Sequence, residues 1–290
     1  MAGMGMRDIK RKITSVNSTR KITKAMELVS TAKLKRAKDR VDITKPYFET
    51  VMNIVQDIIQ SEKALRHDYL EVRPVRKTLY IVVSADRGLC GGYNINVLKR
   101  TLEEVESVAK SKMITIGKKA SSFFTKNNFD ILNEYIYISE NPSFLDAQDI
   151  ARRALNLYAT EKVDEIKLVY TRLESTISQV PEVLQLLPVV ATEGVEQSND
   201  PDEYEEFTTY EPSPEAVLGY IIPKYVESTI YGALIESSAA EQAARRMAME
   251  NASDNADDLI ESLTLSFNQA RQAAITQEIS EIVGGAEALK

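Results

Sequence analysis

The chain has 290 residues, 27% charged and 43% hydrophobic, with a net charge of −7. This is the composition of a folded chain of one or two domains, and no run reaches the roughly 18 consecutive apolar residues that cross a bilayer. One cysteine, Cys90, and one histidine, His67, exclude an in-chain disulfide, a Cys-rich metal framework and most histidine-based catalysis.

From Met6 to Lys45 there is no Gly or Pro, and thirteen Lys/Arg stand against four Asp/Glu. Ile9, Ile13 and Val16, then Ile22, Met26 and Val29, recur at spacings of three and four, which predicts one face of a helix. The basic start imitates an organelle transit peptide. However, it extends past the length of a presequence and no apolar h-region follows Met1, so it reads as mature structure in a reducing compartment. Pro46 is expected to bend the helix, after which Val51, Ile54, Val55, Ile58 and Ile59 resume the period. A helix of about forty residues is about 60 Å long and needs a partner along its length.

The middle of the chain has a different pattern. Thr78–Ser84 is a β-rich run, followed by the glycines of Gly88-Leu89-Cys90-Gly91-Gly92 and a helical pattern from Asn94 to Lys110. Met113–Ile116 is a second strand, closed by Gly117, and Asp130–Ile138 a third. Ser143–Thr160 reads as a helix with Ser143 and Asp146 at capping-box spacing. Ile166–Tyr170 and Leu184–Val190 are two further strands, close enough to pair as a hairpin edge. The alternation predicts an α/β domain with a largely parallel sheet. Nine acidic residues and no Lys or Arg lie between Ala191 and Glu215, which reads as a solvated loop.

The C-terminal part is a second long helix. Ser213 suits an N-cap, Pro214 the first helical position, and Glu215 the positive end of the dipole. Ala233, Ser237, Ala240 and Ala244 form a small-residue stripe. Ile260, Leu263, Phe267, Ala270, Ala274 and Gln277 step by three and four as a heptad seam. From Lys224 onward five basic residues stand against eleven acidic ones, so two long helices of opposite charge at the two ends predict an antiparallel coiled coil.

No motif points to catalysis. The Gly-x-x-Gly-Gly spacing after the first strand is neither a dinucleotide fingerprint nor a Walker loop, and reads as a tight turn. Cys90 has no base beside it in sequence, and His67 lies in a linker. Asp257 and Asp258 sit on a soluble helix face with no second acidic cluster to complete a metal site. The basic first helix lacks the interleaved aromatics of a nucleic-acid reader.

Three segments resemble the gamma-subunit family of bacterial F-type ATP synthases: Ile22-Thr23-Lys24-Ala25-Met26-Glu27, Asp86-Arg87-Gly88-Leu89-Cys90-Gly91-Gly92, and Arg271-Gln272-Ala273-Ala274-Ile275-Thr276-Gln277-Glu278 running on to Glu281-Ile282-Val283-Gly284-Gly285-Ala286. The resemblance implies a mixed α+β and α/β fold, in which a long antiparallel coiled coil of the N- and C-terminal helices carries an inserted Rossmann-like α/β domain. Domains of 1–75, 76–211 and 212–290 are expected. The implied role is that of a non-catalytic rotor shaft in a proton-translocating ATP synthase, with no cofactor or metal of its own. It implies alpha and beta subunits in a 3:3 ring around one such chain, an epsilon subunit and a membrane c-ring as partners, without nucleic acid and without direct bilayer insertion. The location would be peripheral, on the cytoplasmic face of the bacterial cell membrane. By the same resemblance Lys24 and Met26 lie near the beta-subunit lever. Arg245, Arg271, Gln272 and Thr276 match positions of ring contact or coupling, and Ile275–Leu289 is a tip turning in an apolar collar. A coiled-coil adaptor unrelated to ATP synthesis is the alternative that the long helices also allow.

Overall fold

The computed structural model describes residues 5–61, 67–190, 210–211 and 213–287; the acidic segment between Ala191 and Glu215 falls mostly outside them. Helix α1 spans Met6–Ser61 and helix α5 Pro214–Glu287, and both continue through an internal proline, Pro46 and Pro223. Pro46 thus does not end α1, and the apolar period expected after it lies on the same helix. Between them lie β1 (Thr78–Val83), α2 (Tyr93–Glu104), β2 (Ser111–Ile116), α3 (Lys118–Lys126), β3 (Asp130–Tyr135), α4 (Phe144–Ala159), β4 (Glu165–Leu173) and β5 (Gln179–Leu187).

The sheet runs in the order β3-β2-β1-β4-β5, parallel except for β5, which returns antiparallel beside β4. This is the predicted α/β domain with its hairpin edge. The two faces of the sheet follow the period-two alternation of its strands. Leu79, Ile81, Ile114, Ile166 and Leu168 meet Ile150 and Tyr158 of α4 together with Val55 and Ile58 of α1 and Leu218, Ile222 and Val226 of α5. Tyr80, Val82, Met113 and Val169 meet Val97 of α2 and Phe124 of α3 on the opposite face. Every residue of β1 is buried, as a central strand covered on both sides requires.

Several boundaries differ from the sequence reading, each for a local reason. Helix α2 stops at Glu104, because Val105 is extended and residues 108–110 form a separate 3-10 turn. Strand β3 stops at Tyr135, before Tyr137 takes a positive φ of 65°. Helix α3 is not legible from the sequence because its cap is not local. Ala120 N donates to Ser84 Oγ at 2.8 Å and Lys118 N donates to Asp86 Oδ1 at 3.0 Å. Helix α4, by contrast, carries the expected capping box of Ser143 and Asp146.

Two compact units emerge, residues 1–31 with 245–290, and residues 32–244. Within the second, Ser237 to Ala244 of α5 are buried at every position, which a helix shows only when it is enclosed on all sides. One side, Ala239 and Ala243, packs on Leu34 and Ala37 of α1. The small-residue stripe faces elsewhere: Ala240 and Ala244 pack on Ala85, Cys90 and Tyr93, and Thr171 N donates to Ser237 Oγ at 3.1 Å. The stripe therefore admits the end of the sheet, while a second alanine pair admits α1.

Gly117 holds φ +87°, and a Cβ there would lie 2.1 Å from Ser84 O. Gly117→Ala is expected to lower stability by about 2 kcal/mol or more through backbone strain and overpacking. The check is a lower urea midpoint at unchanged m-value.

Candidate functional site

Open α/β sheets bind nucleotides at the carboxyl ends of their strands, where the strand order reverses. In this sheet that point lies between β1 and β4, and the chain itself fills it. Ala85 and Cys90 from the end of β1, Leu173 from the end of β4, and Ala240 and Ala244 of α5 form one buried cluster. Leu173 N donates to Glu236 Oε1 at 3.2 Å, and burial pushes the Glu236 carboxyl up. Amide donors at the start of α3, the helix that follows β2, are also taken. Asp86 accepts from Lys118 N through Oδ1 and, through Oδ2, from Tyr137 N at 3.0 Å and Ser139 Oγ at 2.8 Å.

The glycine-rich turn serves the same packing. Leu89 and Gly91 take positive φ values of 63° and 56°. Asn94 fastens the turn from inside: its Oδ1 accepts from Ala85 N at 2.9 Å and its Nδ2 donates to Arg87 O at 3.3 Å. Cys90 is 1% exposed, a packed thiol rather than an accessible nucleophile. His67 stacks near Tyr69 at 5.1 Å between ring centroids. The turn reads structurally, as its spacing predicts.

The six residues singled out by resemblance lie in the unit formed by residues 1–31 and 245–290. Here the two helices run antiparallel, with Arg20 Nη1 donating to Asp257 Oδ1 at 2.5 Å and Thr23 Oγ1 lying 2.8 Å from Ser253 Oγ. On α5 the side chains turned inward past Asp254 are Ala256, Ile260, Leu263, Phe267, Ala270 and Ala274, with all others to Ala286 exposed. The predicted seam holds except at Gln277, which is exposed. On α1 the inward positions are Ile9, Ile13, Val16, Asn17, Arg20, Thr23, Met26, Glu27 and Ser30. Ile22 and Val29, expected on that face, are 61% and 54% exposed. Met26, expected on the same face, is half-buried; around it the seam keeps its period of three and four but is mostly polar, so a search for apolar residues alone finds only part of it.

Lys24 is exposed and pairs with Glu27 at 3.0 Å; that hydrogen bond and the nearby Glu250 and Asp254 raise its pKa. Met26 is half-buried and Arg245 is 9% exposed. Arg271, Gln272 and Thr276 are exposed, and Arg271 has no ion pair among the described residues. The structure does not gather these residues into one site. Lys24 lies at the level of Glu250, about 30 Å along α5 from Arg271 at 1.5 Å per residue. Ile275, Ile279, Ile282 and Val283 are all about half or more exposed.

Thr23 and Ser253 are 8% and 4% exposed. A double-mutant cycle with Thr23→Val and Ser253→Ala is expected to return a coupling of about 0.5–1.5 kcal/mol. Urea unfolding of the two single variants, the double variant and the parent measures it.

A sequence model of the family described as ATP synthase matches residues 5–289. The ATP synthase gamma chain of Alkaliphilus metalliredigens is 54% identical over 99% of this chain and 100% of the relative. The ATP synthase gamma chain, sodium ion specific, of Acetobacterium woodii is 42% identical over 98% of each chain. Among solved structures, the central stalk/c-ring of the Tetrahymena thermophila mitochondrial ATP synthase is 25% identical with a TM-score of 0.63, covering 80% of this chain and 99% of that one. A chain of the Euglena gracilis mitochondrial ATP synthase is 23% identical with a TM-score of 0.70, covering 98% and 94%, and shares the fold. With a seam that holds two long helices together, a filled nucleotide crevice and these likenesses over its whole length, the chain belongs to the ATP synthase gamma-chain family, as a non-catalytic subunit of the central stalk.

Proposed function

We propose that this chain is the rotor shaft that couples rotation of a membrane c-ring to successive conformational changes in catalytic beta subunits. The observation that carries the reading is the asymmetry of the two-helix unit. Its seam is closed as far as Ala274, while α1 is basic from Arg7 to Lys24 and α5 acidic from Glu250 to Glu261, so the two sides of the pair differ in charge. Residues 1–75 and 212–290 are assigned to the shaft, and residues 76–211 to a foot that meets the epsilon subunit and the c-ring. Three alpha and three beta subunits surround one shaft in this reading, at the cytoplasmic face of the bacterial membrane.

The mechanism is a coupling free energy applied in turn. A lopsided shaft presents a different face to each beta subunit, and each face stabilises a different state of that subunit. A differential of a few kcal/mol shifts such populations by orders of magnitude. Contacts that break at each step suit exposed charges, whose pairs are worth about 0–1 kcal/mol, better than deep apolar anchors. Lys24, Met26, Arg245, Arg271, Gln272 and Thr276 are proposed as coupling residues. Exposed Ile275, Ile279, Ile282 and Val283 support a tip that turns in an apolar collar.

The driving ion is taken as a proton. No helix among the described residues is long and apolar enough to cross a membrane, so ion selection is assigned to other subunits, and the mechanics of this chain hold equally for the sodium-specific relative.

Arg271→Glu combined with Gln272→Leu, both at exposed positions, is expected to leave the melting temperature of the isolated chain unchanged. In membrane vesicles carrying the assembled enzyme, ATP-driven ion pumping should fall well below the parent while ATP hydrolysis persists. Parent-level pumping would remove these residues from the coupling role. Failure of the full chain to co-purify with alpha and beta subunits would overturn the shaft reading itself.

A further inference from the structure

Within the unit of residues 32–244, a cleft of about 410 Å³ opens between α1, α5 and the segment that follows β3. Lys33, Arg36 and Arg40 line one wall, at the three- and four-residue spacing that places side chains on one helix face. Glu140 and Asn141 line the opposite wall, and Gln242 of α5 is part of the lining.

The hydrogen-bonding inventory of this lining is unbalanced. Lys33 Nζ is paired with Glu140 Oε1, so that carboxylate is already engaged. Arg40 Nη1 donates to Asn141 Oδ1 at 2.5 Å, which uses one of its five N–H donors. Arg36 has no ion pair among the described residues. Gln242 is 2% exposed and its Nε2 is buried with no acceptor. A buried donor without a partner costs about 1–3 kcal/mol, and retaining one beside unneutralised guanidinium groups is explained if a ligand supplies the acceptors.

We infer that the cleft is a binding site for a phosphate-bearing oxyanion, held by Arg36 and Arg40 and oriented by Gln242. The α1 wall carries donors in excess, which select a ligand that accepts, and the planar guanidinium groups of Arg36 and Arg40 match the oxygens of phosphate. The concave shape and modest volume fit a small anion, within the size range of small-molecule sites, rather than a long acidic peptide. The site is separate from the sheet crevice and from the coupling residues, and it does not depend on the shaft reading.

Calorimetric titration of the purified full chain with inorganic phosphate, pyrophosphate and ADP tests the inference, with Arg36→Gln, Gln242→Leu and the control Lys10→Gln alongside the parent. Saturable pyrophosphate binding is expected, weakened about tenfold or more by Arg36→Gln and by Gln242→Leu and unchanged by Lys10→Gln. Gln242→Leu should at the same time raise the melting temperature, since it removes an unpartnered buried donor. Tighter binding of ADP, lost in the same two variants, supports the site and identifies a nucleotide as its source. Binding confined to phosphate and pyrophosphate supports it with a free anion. Absence of saturable binding to about 10 mM ligand overturns the inference, as does an equal loss in Lys10→Gln, which would indicate diffuse attraction. A glutamate-rich peptide that displaces pyrophosphate and binds more tightly through Arg36 would also overturn it, making the cleft a protein-docking surface.

Discussion

Enclosure of α5 between Ser237 and Ala244 is the constraint around which the α/β unit is organised. A helix surrounded on all sides requires side chains small enough for several neighbours to approach at once. Ala239 and Ala243 admit α1, while Ser237, Ala240 and Ala244 admit the ends of β1 and β4 and the glycine-rich turn. The same contact closes the crevice in which a doubly wound sheet ordinarily holds a nucleotide. The sheet end thereby serves as a clamp on a helix.

The clamp is completed by polar groups that span long stretches of sequence. Asp86 joins the loop after β1 to the start of α3 and to the segment after β3, and Ser84 caps α3 from the next strand. Such a carboxylate, satisfied by two backbone amides and a hydroxyl, holds three loops in fixed relation without apolar surface. It also explains the positive φ at Leu89 and Tyr137, since both lie in the loops that Asp86 draws together. The glycines supply conformations that the packing demands, at Gly91 by φ and at Gly117 by the closeness of Ser84.

In the other unit, the helix pair exchanges apolar for polar seam residues at Arg20, Thr23, Glu27 and Ser30. An apolar heptad tolerates sliding by one repeat, because the next knob fits the next hole equally well. A buried hydroxyl pair and an ion pair at one level distinguish the native register from its neighbours. Beyond Ala274 the described part of α5 has no inner side, and Ile279, Ile282 and Val283 are exposed.

Sequence patterning by itself determined what depends on periodicity and local chemistry. The two long helices, the heptad from Ile260 to Ala274, the α4 capping box, the alternation of strands and helices, and the structural character of the glycine turn all follow from residues near one another in the chain. Resemblance in three segments supplied the family. Tertiary structure alone decided what depends on partners distant in sequence. Helix α3 is capped by Ser84 and Asp86, more than thirty residues away. The inward face of α1 from Arg20 to Ser30 is polar apart from Met26, so Ser253 and Asp257 define it more than hydrophobicity does. The target of the alanine stripe, and the placing of Arg36 and Gln242 in the lining of one cleft, arise only when α1 and α5 pack within the unit of residues 32–244, because burial is a property of the assembled neighbours and not of the residue.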